Sequence, residues 1–373
     1  MRRIALLALA RERHGGTLLY TRSMIEALKL LPADRYRTRL YTTIDNAEYD
    51  DCGLPIVRLP GALAIAAARL AGGDPFAGED LVLAPIYSTR LLATRLPFAF
   101  TLHDLQEKHY PQYFGLATRI WRHLTNRLLT ARAARILCES RFVGDDIVAH
   151  FGVAPDRIEV VPAPPIASIR AGELDEQRVA AVQRKLDLPA QFVFYPAQFW
   201  PHKNHLRLVE AFARVAGDFP QCMLVLTGKP RDEFERVFAR VRELGLGDRV
   251  RHLGYIEQSE LAAVYRSATV AAIPTLFESI SIPVYEAFSV GTPVCASNVV
   301  ALPEQIGDAG LLFDPESAAD IAGAIARLLG DPALRRTLVE RGLRRMHAVT
   351  HESYAARLGA IIDTIARPEP TPT

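Results

Sequence analysis

The sequence is poor in cysteine, and its cysteines are not grouped. The 373-residue chain contains four of them, Cys52, Cys138, Cys222 and Cys295, with no Cys-x-x-Cys pair. This spacing predicts neither a disulfide framework nor a cysteine-rich zinc site. We therefore expect reduced thiols in a cytoplasmic protein.

Long apolar runs and a strong net charge are also missing. No apolar stretch of the sequence reaches the roughly 18 residues that a membrane-spanning helix needs. The N-terminal MRRIALLALA resembles the start of a signal peptide, but its apolar part is short and runs into charged residues, so we predict a buried first strand instead. The formal net charge of +2 creates no field that would attract nucleic acid, and no nucleic-acid partner is expected.

Short apolar runs alternate with amphipathic stretches of helix length along the whole chain. The runs are rich in Val, Ile and Leu, which is typical of strands in a parallel sheet with helices on both faces. The predicted strands are 4–10, 81–86, 98–102, 136–138, 158–161, 192–195, 223–226, 250–253, 270–273 and 293–296. This rhythm predicts an α/β fold in both halves of the chain.

A proline-rich segment separates the two halves. Pro162, Pro164 and Pro165 can continue neither a strand nor a helix, so a linker is expected here. We predict an N-terminal domain over 1–162, a linker and entry helix over 163–190, and a C-terminal domain over 191–345. Residues 346–373 would form a helix that packs back toward the N-terminal domain, followed by a disordered tail. Thr17 is expected to cap the first helix.

Two glutamates eight residues apart follow the predicted strand 270–273. Pro283 lies between them and suits the first turn of a helix, where its missing N–H costs nothing. Glu278 would then lie in the loop before this helix and Glu286 in its first turn, with an anion site formed by the N–H groups between them. Glu278 could bind sugar hydroxyls and Glu286 ribose hydroxyls. The alternative is that a glutamate at a helix start only stabilises the helix, by roughly 0.3–1 kcal/mol.

A second polar segment follows the predicted strand 192–195. Ligands of doubly wound sheets bind beyond the carboxyl ends of strands. Lys203 in this segment could neutralise a leaving diphosphate, or it could be a solvated lysine at a helix start. His202 and His205 have no carboxylate or cysteine nearby to complete a ligand set, so no metal site is predicted here.

Two loops in the N-terminal half also carry candidate residues. His14, Gly15 and Gly16 follow the first predicted strand, and a glycine pair lets a ligand approach the backbone closely. His103 follows the predicted strand 98–102. This histidine could contact a sugar, or it could be a structural hydrogen-bonding residue.

Taken together and in this order, these elements resemble the retaining glycosyltransferases of family 4, which have the GT-B fold. The resemblance extends from Gly15 to the last helix. It also includes Glu139-Ser140, Gly254-Tyr255-Ile256, Gly291-Thr292-Pro293-Val294 and Leu302-Pro303-Glu304. The resemblance implies two Rossmann-like domains that face each other across a cleft, with the nucleotide-sugar donor held by the C-terminal domain.

The resemblance also implies roles for individual residues. His103, Lys203 and Glu278 would be catalytic, with His103 contacting the transferred sugar and Lys203 the diphosphate. Glu286 would bind the ribose, and the backbone at Tyr255 would face the base. The full donor-binding set would be Gly15, Gly16, Gln198, Lys203, Tyr255, Ile256, Glu278, Ser279, Ile280, Ser281 and Glu286. No metal or cofactor is implied, and the nucleotide sugar is a substrate.

The implied reaction moves a hexosyl unit of the mannose or rhamnose type to a glycan or lipid-linked saccharide in surface polysaccharide synthesis. Gln198 departs from the family pattern, which usually has arginine at this position, so Arg11 or Arg13 would have to supply the missing charge. The alternatives are a nucleotide-sugar epimerase of the same fold and a non-catalytic protein that binds nucleotide sugars.

A basic stretch lies in the N-terminal half. Residues 108–141 contain seven Lys and Arg but a single acidic residue. The pattern of residues 120–129 predicts a helix with arginines on one side and Trp121 and leucines on another. Residues 119–135 could therefore rest on an anionic membrane, or they could form a solvated surface. The location would accordingly be cytoplasmic, with peripheral contact to the inner face of the plasma membrane as the second alternative.

Overall fold

The computed structural model describes residues 1–12, 15–61, 65, 69–165 and 174–366, excluding the side chains of residues 258 and 259. Contacts divide the chain into two units, Met1–Pro164 with the described residues from Val349 onward, and Pro165–Ala348. Each unit contains one β-sheet with associated helices. The division between the units falls within the proline-rich segment.

The described residues form strands and helices in alternation. The strands are β1 Arg2–Leu7, β2 Tyr36–Thr43, β3 Ile56–Leu59, β4 Leu81–Ala84, β5 Phe98–Thr101, β6 Arg135–Cys138, β7 Ile158–Val160, β8 Gln191–Pro196, β9 Cys222–Thr227, β10 Val250–His252, β11 Val270–Ile273, β12 Val294–Ser297 and β13 Gly310–Phe313. The α-helices are α1 Gly16–Lys29, α2 Gln106–His109, α3 Leu116–Arg132, α4 Arg141–Phe151, α5 Glu176–Lys185, α6 His205–Val215, α7 Phe234–Glu243, α8 Gln258–Ser267, α9 Ile282–Val290, α10 Leu302–Ile306, α11 Ala318–Gly330, α12 Pro332–Met346 and α13 His351–Ile365.

The first unit is built on a 7-stranded parallel sheet in the order β3-β2-β1-β4-β5-β6-β7. Strand β4 is buried along its whole length, as expected for a strand covered on both faces. The last helix, α13, belongs to this unit and packs on α1. Tyr354, Leu358 and Ile362, which are spaced four residues apart, are buried in the same core as Met24 of α1.

The second unit has a 6-stranded parallel sheet in the order β10-β9-β8-β11-β12-β13. The chain moves outward in one direction from β8 and then in the other direction from β11. Strands β8 and β11 are therefore neighbours at the point where the strand order reverses. In open α/β sheets ligands bind beyond the carboxyl ends of the strands at this point.

The predicted α/β class is confirmed in both halves, and each predicted strand is present. Three strands were missed, namely β2, β3 and β13. Strand β2 alternates buried with more exposed residues and carries Arg37 and Arg39, so it lacks a continuous apolar run. Strands β3 and β13 are short edge strands and are only partly buried. Strands at the edge of a sheet need less apolar surface. They therefore lack the continuous apolar runs from which the other strands were predicted.

Two details of the predicted helix starts were wrong. Gly15, with φ of 54°, is the N-cap of α1, and no side chain caps this helix. Thr17 lies inside the first turn, where its carbonyl accepts a hydrogen bond from the Thr21 hydroxyl at 2.8 Å. Helix α9 begins at Ile282, so Glu286 lies in its second turn rather than its first.

Candidate active site

A lysine and a glutamate meet beyond the carboxyl ends of β8 and β11. Lys203 Nζ donates a hydrogen bond to Glu278 Oε2 at 2.5 Å. Their side chains are 20% and 16% exposed, so the pair is accessible to a ligand while most of its surroundings are protein. The structure thus brings together the two residues that the sequence predicts to bind the diphosphate and the sugar.

Asn204 fixes the geometry of this pair. Its backbone has a left-handed φ of 60°, and its side-chain Nδ2 donates to the carbonyls of Pro274 and Pro315, both at 2.9 Å. On the other side of Lys203, the carbonyl of His202 accepts a hydrogen bond from the N–H of Leu276 at 2.8 Å. The loops that carry Lys203 and Glu278 are therefore joined by hydrogen bonds from the residues on either side of Lys203. The sequence interpretation gave Asn204 no role.

Glu286 is buried on α9 and is already bonded to protein. The hydroxyl of Tyr265 donates to Glu286 Oε2 at 2.8 Å. Burial and then the charge of Glu286 raise the pKa of Tyr265 well above its usual value, so the phenol stays a proton donor. This bond fixes one carboxylate oxygen, and with it the orientation of the other.

Backbone N–H groups at the start of α9 are already hydrogen-bonded within the protein, which the sequence does not indicate. The N–H of Ser281 donates to Gln305 Oε1 at 2.8 Å, and Gln305 Nε2 donates back to the Ser281 carbonyl at 2.7 Å. Pro283 has no N–H, and the N–H of Val284 is bonded to the Ser281 carbonyl at 3.1 Å. The predicted anion site here therefore has fewer open N–H groups than expected. Ser279 and Ile280, in the turn before the helix, are half-buried.

The remaining predicted residues of the second unit lie in the loops after β8 and β10. Gln198 Oε1 accepts a hydrogen bond from Arg231 Nε at 2.9 Å. Tyr255 is 69% exposed, and Lys229 Nζ lies 5.4 Å from its ring centroid. Ile256 is buried in the core of the unit. An exposed aromatic ring next to a buried anchor suits a surface that stacks on a planar ligand.

The predicted residues of the first unit lie after β1 and β5. Gly15 and Gly16 form the turn into α1, while His14 and Arg13 lie outside the described residues. Arg11, one of the two predicted compensating cations, forms a salt bridge with Asp45 at 2.6 Å.

His103 is held by its own unit through both ring nitrogens. Nδ1 lies 2.9 Å from Glu139 Oε2, and Nε2 lies 2.8 Å from the Pro85 carbonyl. Because both partners are acceptors, this arrangement suits an imidazolium that donates twice. Burial lowers the pKa of His103, but the hydrogen bond to Glu139 and its charge outweigh burial, so the pKa lies above its usual value. The sequence places Glu139 in a family motif but gives no sign of this contact with His103.

Helix α3 presents apolar side chains to solvent. Leu116, Ile120, Trp121, Leu124 and Leu128 are each more than half exposed. Spacings of three to four residues place them on one side of the helix. No helix in the described part of the chain is both long and apolar enough to span a membrane.

The arginines of this stretch do not all face outward as predicted. Arg122 Nη2 donates to Asp104 Oδ1 at 3.0 Å, and its Nε lies 3.1 Å from Glu107 Oε2. Arg132 Nη1 donates to the Leu92 carbonyl at 2.8 Å. Arg119 is exposed, as is Arg127. The surface formed by residues 108–141 is therefore less basic than their sequence indicates. Asp104 and Glu107, which lie just before this stretch, neutralise Arg122.

The described residues contain one group with the side chains and spacing of a metal site. His109, Asp146 and His150 offer ligand atoms that all lie within 4.8 Å of one another. His109 Nε2 and Asp146 Oδ2 are 2.6 Å apart and hydrogen-bonded. The group belongs to the first unit and includes none of the predicted donor-binding residues.

Two doubly wound sheets in one chain define an α/β protein of the GT-B class, and the second sheet carries a charged pair at its switch point. The structure of Anabaena HepE in complex with UDP and glucose has a TM-score of 0.79 to this chain at 17% identity, covering 98% of this chain and 100% of HepE. This similarity confirms the predicted GT-B fold.

Two family descriptions match the sequence. "Glycosyl transferases group 1" matches residues 178–345, and "Glycosyltransferase Family 4" matches residues 80–164. Each of the two units thus carries a match to a glycosyltransferase family.

Curated relatives match part of the chain. The MMP alpha-(1->4)-mannosyltransferase of Mycolicibacterium hassiacum is 32% identical over 240 residues, which cover 62% of this chain and 54% of that protein. The O-antigen chain mannosyltransferase B of Escherichia coli is 27% identical over 267 residues, which cover 68% of this chain and 66% of that protein. The matched part thus spans between half and two thirds of the length of these relatives.

Proposed function

We propose that this protein is a retaining glycosyltransferase that moves a hexosyl unit, of the mannose or rhamnose type, from a nucleoside diphosphate to a saccharide acceptor. The observation that carries the proposal is the Lys203–Glu278 pair at the switch point of the second sheet. The names of the two curated relatives, both mannosyltransferases, support the choice of sugar.

The pair suits the chemistry of a leaving diphosphate. Without a ligand, the carboxylate of Glu278 neutralises the ammonium of Lys203. A bound diphosphate would pair with the ammonium of Lys203 in place of Glu278. The carboxylate of Glu278 would then be free to accept hydrogen bonds from sugar hydroxyls. As the bond between the anomeric carbon and the diphosphate breaks, its electron pair stays on the diphosphate, and Lys203 stabilises that charge.

Retention of configuration follows if the acceptor attacks from the face that the diphosphate leaves. The acceptor oxygen then bonds to the anomeric carbon, and its proton passes to an oxygen of the departing diphosphate. No side chain has to act as a nucleophile in this scheme. No metal has to act either, provided that cations of the protein balance the charge of the diphosphate, and Lys203 is one of them.

The other predicted residues complete the proposed donor site. Glu286, oriented by Tyr265, would bind the ribose, and the backbone at Tyr255 and Ile256 would face the base. Ser279 and Ile280 would line the sugar pocket beside Glu278. The roles implied for Gly15, Gly16 and His103, which belong to the first unit, stay predictions.

Screening nucleotides by thermal shift tests the donor class. GDP, UDP, ADP and dTDP are added separately to the protein. We expect at least one to raise the melting temperature, because a ligand that binds only the folded state stabilises it by mass action. The matching nucleotide sugar should then release nucleoside diphosphate when an acceptor is present.

The same assay separates the alternatives. An epimerase would convert the nucleotide sugar without any acceptor. A non-catalytic binding protein would be stabilised by the nucleotide but release none from the sugar, whichever acceptor is offered. The absence of stabilisation by every nucleotide would contradict the proposed donor site itself.

We also propose a cytoplasmic protein whose helix α3 contacts an anionic membrane surface, where lipid-linked acceptors lie. The exposed apolar residues of α3 and the exposed Arg119 and Arg127 support this contact. Liposome flotation with anionic lipid at low salt tests it. The Ile120→Ser/Leu124→Ser variant should float less than wild type. Leu70→Ser, which changes an exposed apolar residue outside α3, serves as the control. Failure of the wild type to bind would end the membrane proposal.

A further inference from the structure

The loops after β8 and β9 approach each other at their backbones. Gly228 has φ of +124°, and a Cβ atom there would lie 2.3 Å from the Ala197 carbonyl oxygen. Only glycine fits so close an approach. This contact places Lys229 and Arg231, just after Gly228, beside the segment that leads from Ala197 to the active-site lysine.

Arg231 is held on this segment by two side chains. Its Nε donates to Gln198 Oε1 at 2.9 Å, and its guanidinium carbon lies 5.2 Å from the ring centroid of Trp200. A hydrogen bond and a cation–π contact together limit the orientations of the guanidinium. Its terminal amino groups have no acceptor in the described part of the chain. They remain available to an anion.

The same segment leads directly to Lys203. The N–H of Trp200 donates to the Gln198 carbonyl at 2.8 Å, and the N–H of Lys203 donates to the Trp200 carbonyl at 2.9 Å. Gln198, Trp200 and Lys203 therefore belong to one compact turn at the carboxyl end of β8. A guanidinium held by the start of this turn and an ammonium at its end are positioned by the same piece of backbone.

The charge of the proposed donor requires more than Lys203. A diphosphate carries more than one negative charge, whereas Lys203 is a single cation that is already paired with Glu278. A guanidinium can bind phosphate oxygens with two parallel N–H groups, which a lysine cannot do. Arg231 offers such a group, and its hydrogen bond to Gln198 uses only Nε.

We propose that Arg231, oriented by Gln198 and Trp200, is a second diphosphate-binding residue of the donor site. This inference rests on the proposed function, since it assigns a further cation to the same leaving group. Gln198 is then a positioning residue. It carries no charge itself, and its amide oxygen orients the guanidinium of Arg231. The arrangement differs from the expected one, in which Arg11 or Arg13 would provide the compensating charge.

Calorimetric titration of the Arg231→Gln variant tests the assignment. The probes are inorganic pyrophosphate, the nucleoside diphosphate that gives the largest thermal shift, and the matching nucleoside. Affinity for pyrophosphate and for the nucleoside diphosphate should fall on the order of tenfold or more, the usual effect of losing hydrogen bonds to a charged group. Affinity for the nucleoside should not change, because it has no phosphate.

Arg236→Gln is the matched control. Arg236 is an arginine of α7 with a side chain 71% exposed, and it pairs with Glu233 at 3.4 Å. This variant should keep the wild-type affinity for all three probes. In the Arg231→Gln background, Gln198→Arg moves a guanidinium onto the residue that holds Arg231, and part of the lost pyrophosphate affinity should return.

The outcomes separate this inference from the proposed function. If Lys203→Ala loses nucleoside diphosphate binding while a folded Arg231→Gln variant keeps wild-type pyrophosphate affinity, the role of Arg231 is overturned and the donor site stands. An equal loss of nucleoside and pyrophosphate affinity in Arg231→Gln would also contradict a phosphate-specific role. If the wild type binds no nucleoside diphosphate, both proposals fall.

Discussion

The two units share a sheet architecture but use the ends of their strands differently. Both sheets are parallel and wind outward in two directions from a central pair of strands. In the second unit, Lys203 and Glu278 bind each other and remain partly exposed. In the first unit, His103 is bonded through both ring nitrogens to groups of its own unit. The same fold thus leaves a charged pair partly exposed in the second unit and engages both ring nitrogens of His103 in the first.

Two histidines with opposite pKa shifts make the contrast measurable. In the first unit, the charge of Glu139 overcomes burial and raises the pKa of His103. In the second, burial and then the positive charge of Lys203 lower the pKa of His205 to about 3. His205 stacks on Phe199, with ring centroids 4.2 Å apart, and behaves as a neutral aromatic residue.

The largest expected effect is on catalysis by the second unit. Lys203→Ala and Glu278→Ala should each lower turnover by a factor on the order of 10²–10³. Each substitution removes a preorganised contact to the donor that water cannot replace. Steady-state release of nucleoside diphosphate measures this loss. Lys185→Ala, which removes an exposed lysine paired with Glu260 in the same unit, should leave turnover unchanged. Near-wild-type turnover in both active-site variants would remove the site assignment.

Asn204 should matter for stability as well as for activity. Asn204→Ala removes the side-chain bonds to two carbonyls and places a Cβ-bearing residue without that support at φ of 60°. The free energy of unfolding should fall by about 1–3 kcal/mol, measured by urea denaturation. Asn204→Gly loses the same bonds but tolerates the backbone conformation, so its loss should be smaller. Equal stability of all three proteins would show that the tie between the loops is unimportant.

The two histidines should respond to pH in opposite ways. The raised pKa of His103 gives a stabilisation that is complete below its unfolded pKa, near 6.5, and is lost as the pH rises through the folded pKa. Glu139→Gln should remove this contribution. The lowered pKa of His205 instead costs stability as the pH falls below about 6.5 toward about 3. Imidazole titration by NMR, with wild type against Glu139→Gln, checks both. A His205 signal that titrates near pH 6.5 would contradict its burial.

The smallest expected effect is that of removing divalent metal. A metal-independent transfer should proceed at an unchanged rate in EDTA, because Lys203 and the proposed second cation, Arg231, would supply positive charge to the leaving group. A loss of transfer that added Mg²⁺ or Mn²⁺ restores would overturn this prediction. The His109, Asp146 and His150 group of the first unit would then be the first ligand set to mutate.

Most of the fold could be predicted from the sequence, and so could the placement of Lys203 and Glu278 beyond the ends of strands. Apolar runs identified the buried strands, but β2, β3 and β13 lack such runs because they are polar or lie at an edge. The pairing of Lys203 with Glu278 follows from their places after neighbouring strands. The hydrogen bonds of Gln305 with Ser281 and of Arg231 with Gln198 join distant segments of the chain. A single sequence does not encode such contacts as a local pattern.

A structure of the protein with its nucleoside diphosphate bound is the decisive test of the Lys203–Glu278 site. We expect a diphosphate oxygen at about 2.7–2.9 Å from Lys203 Nζ, the distance of a charge-assisted hydrogen bond, with Glu278 released from the lysine. A nucleotide bound elsewhere, with the Lys203–Glu278 pair intact, would contradict it.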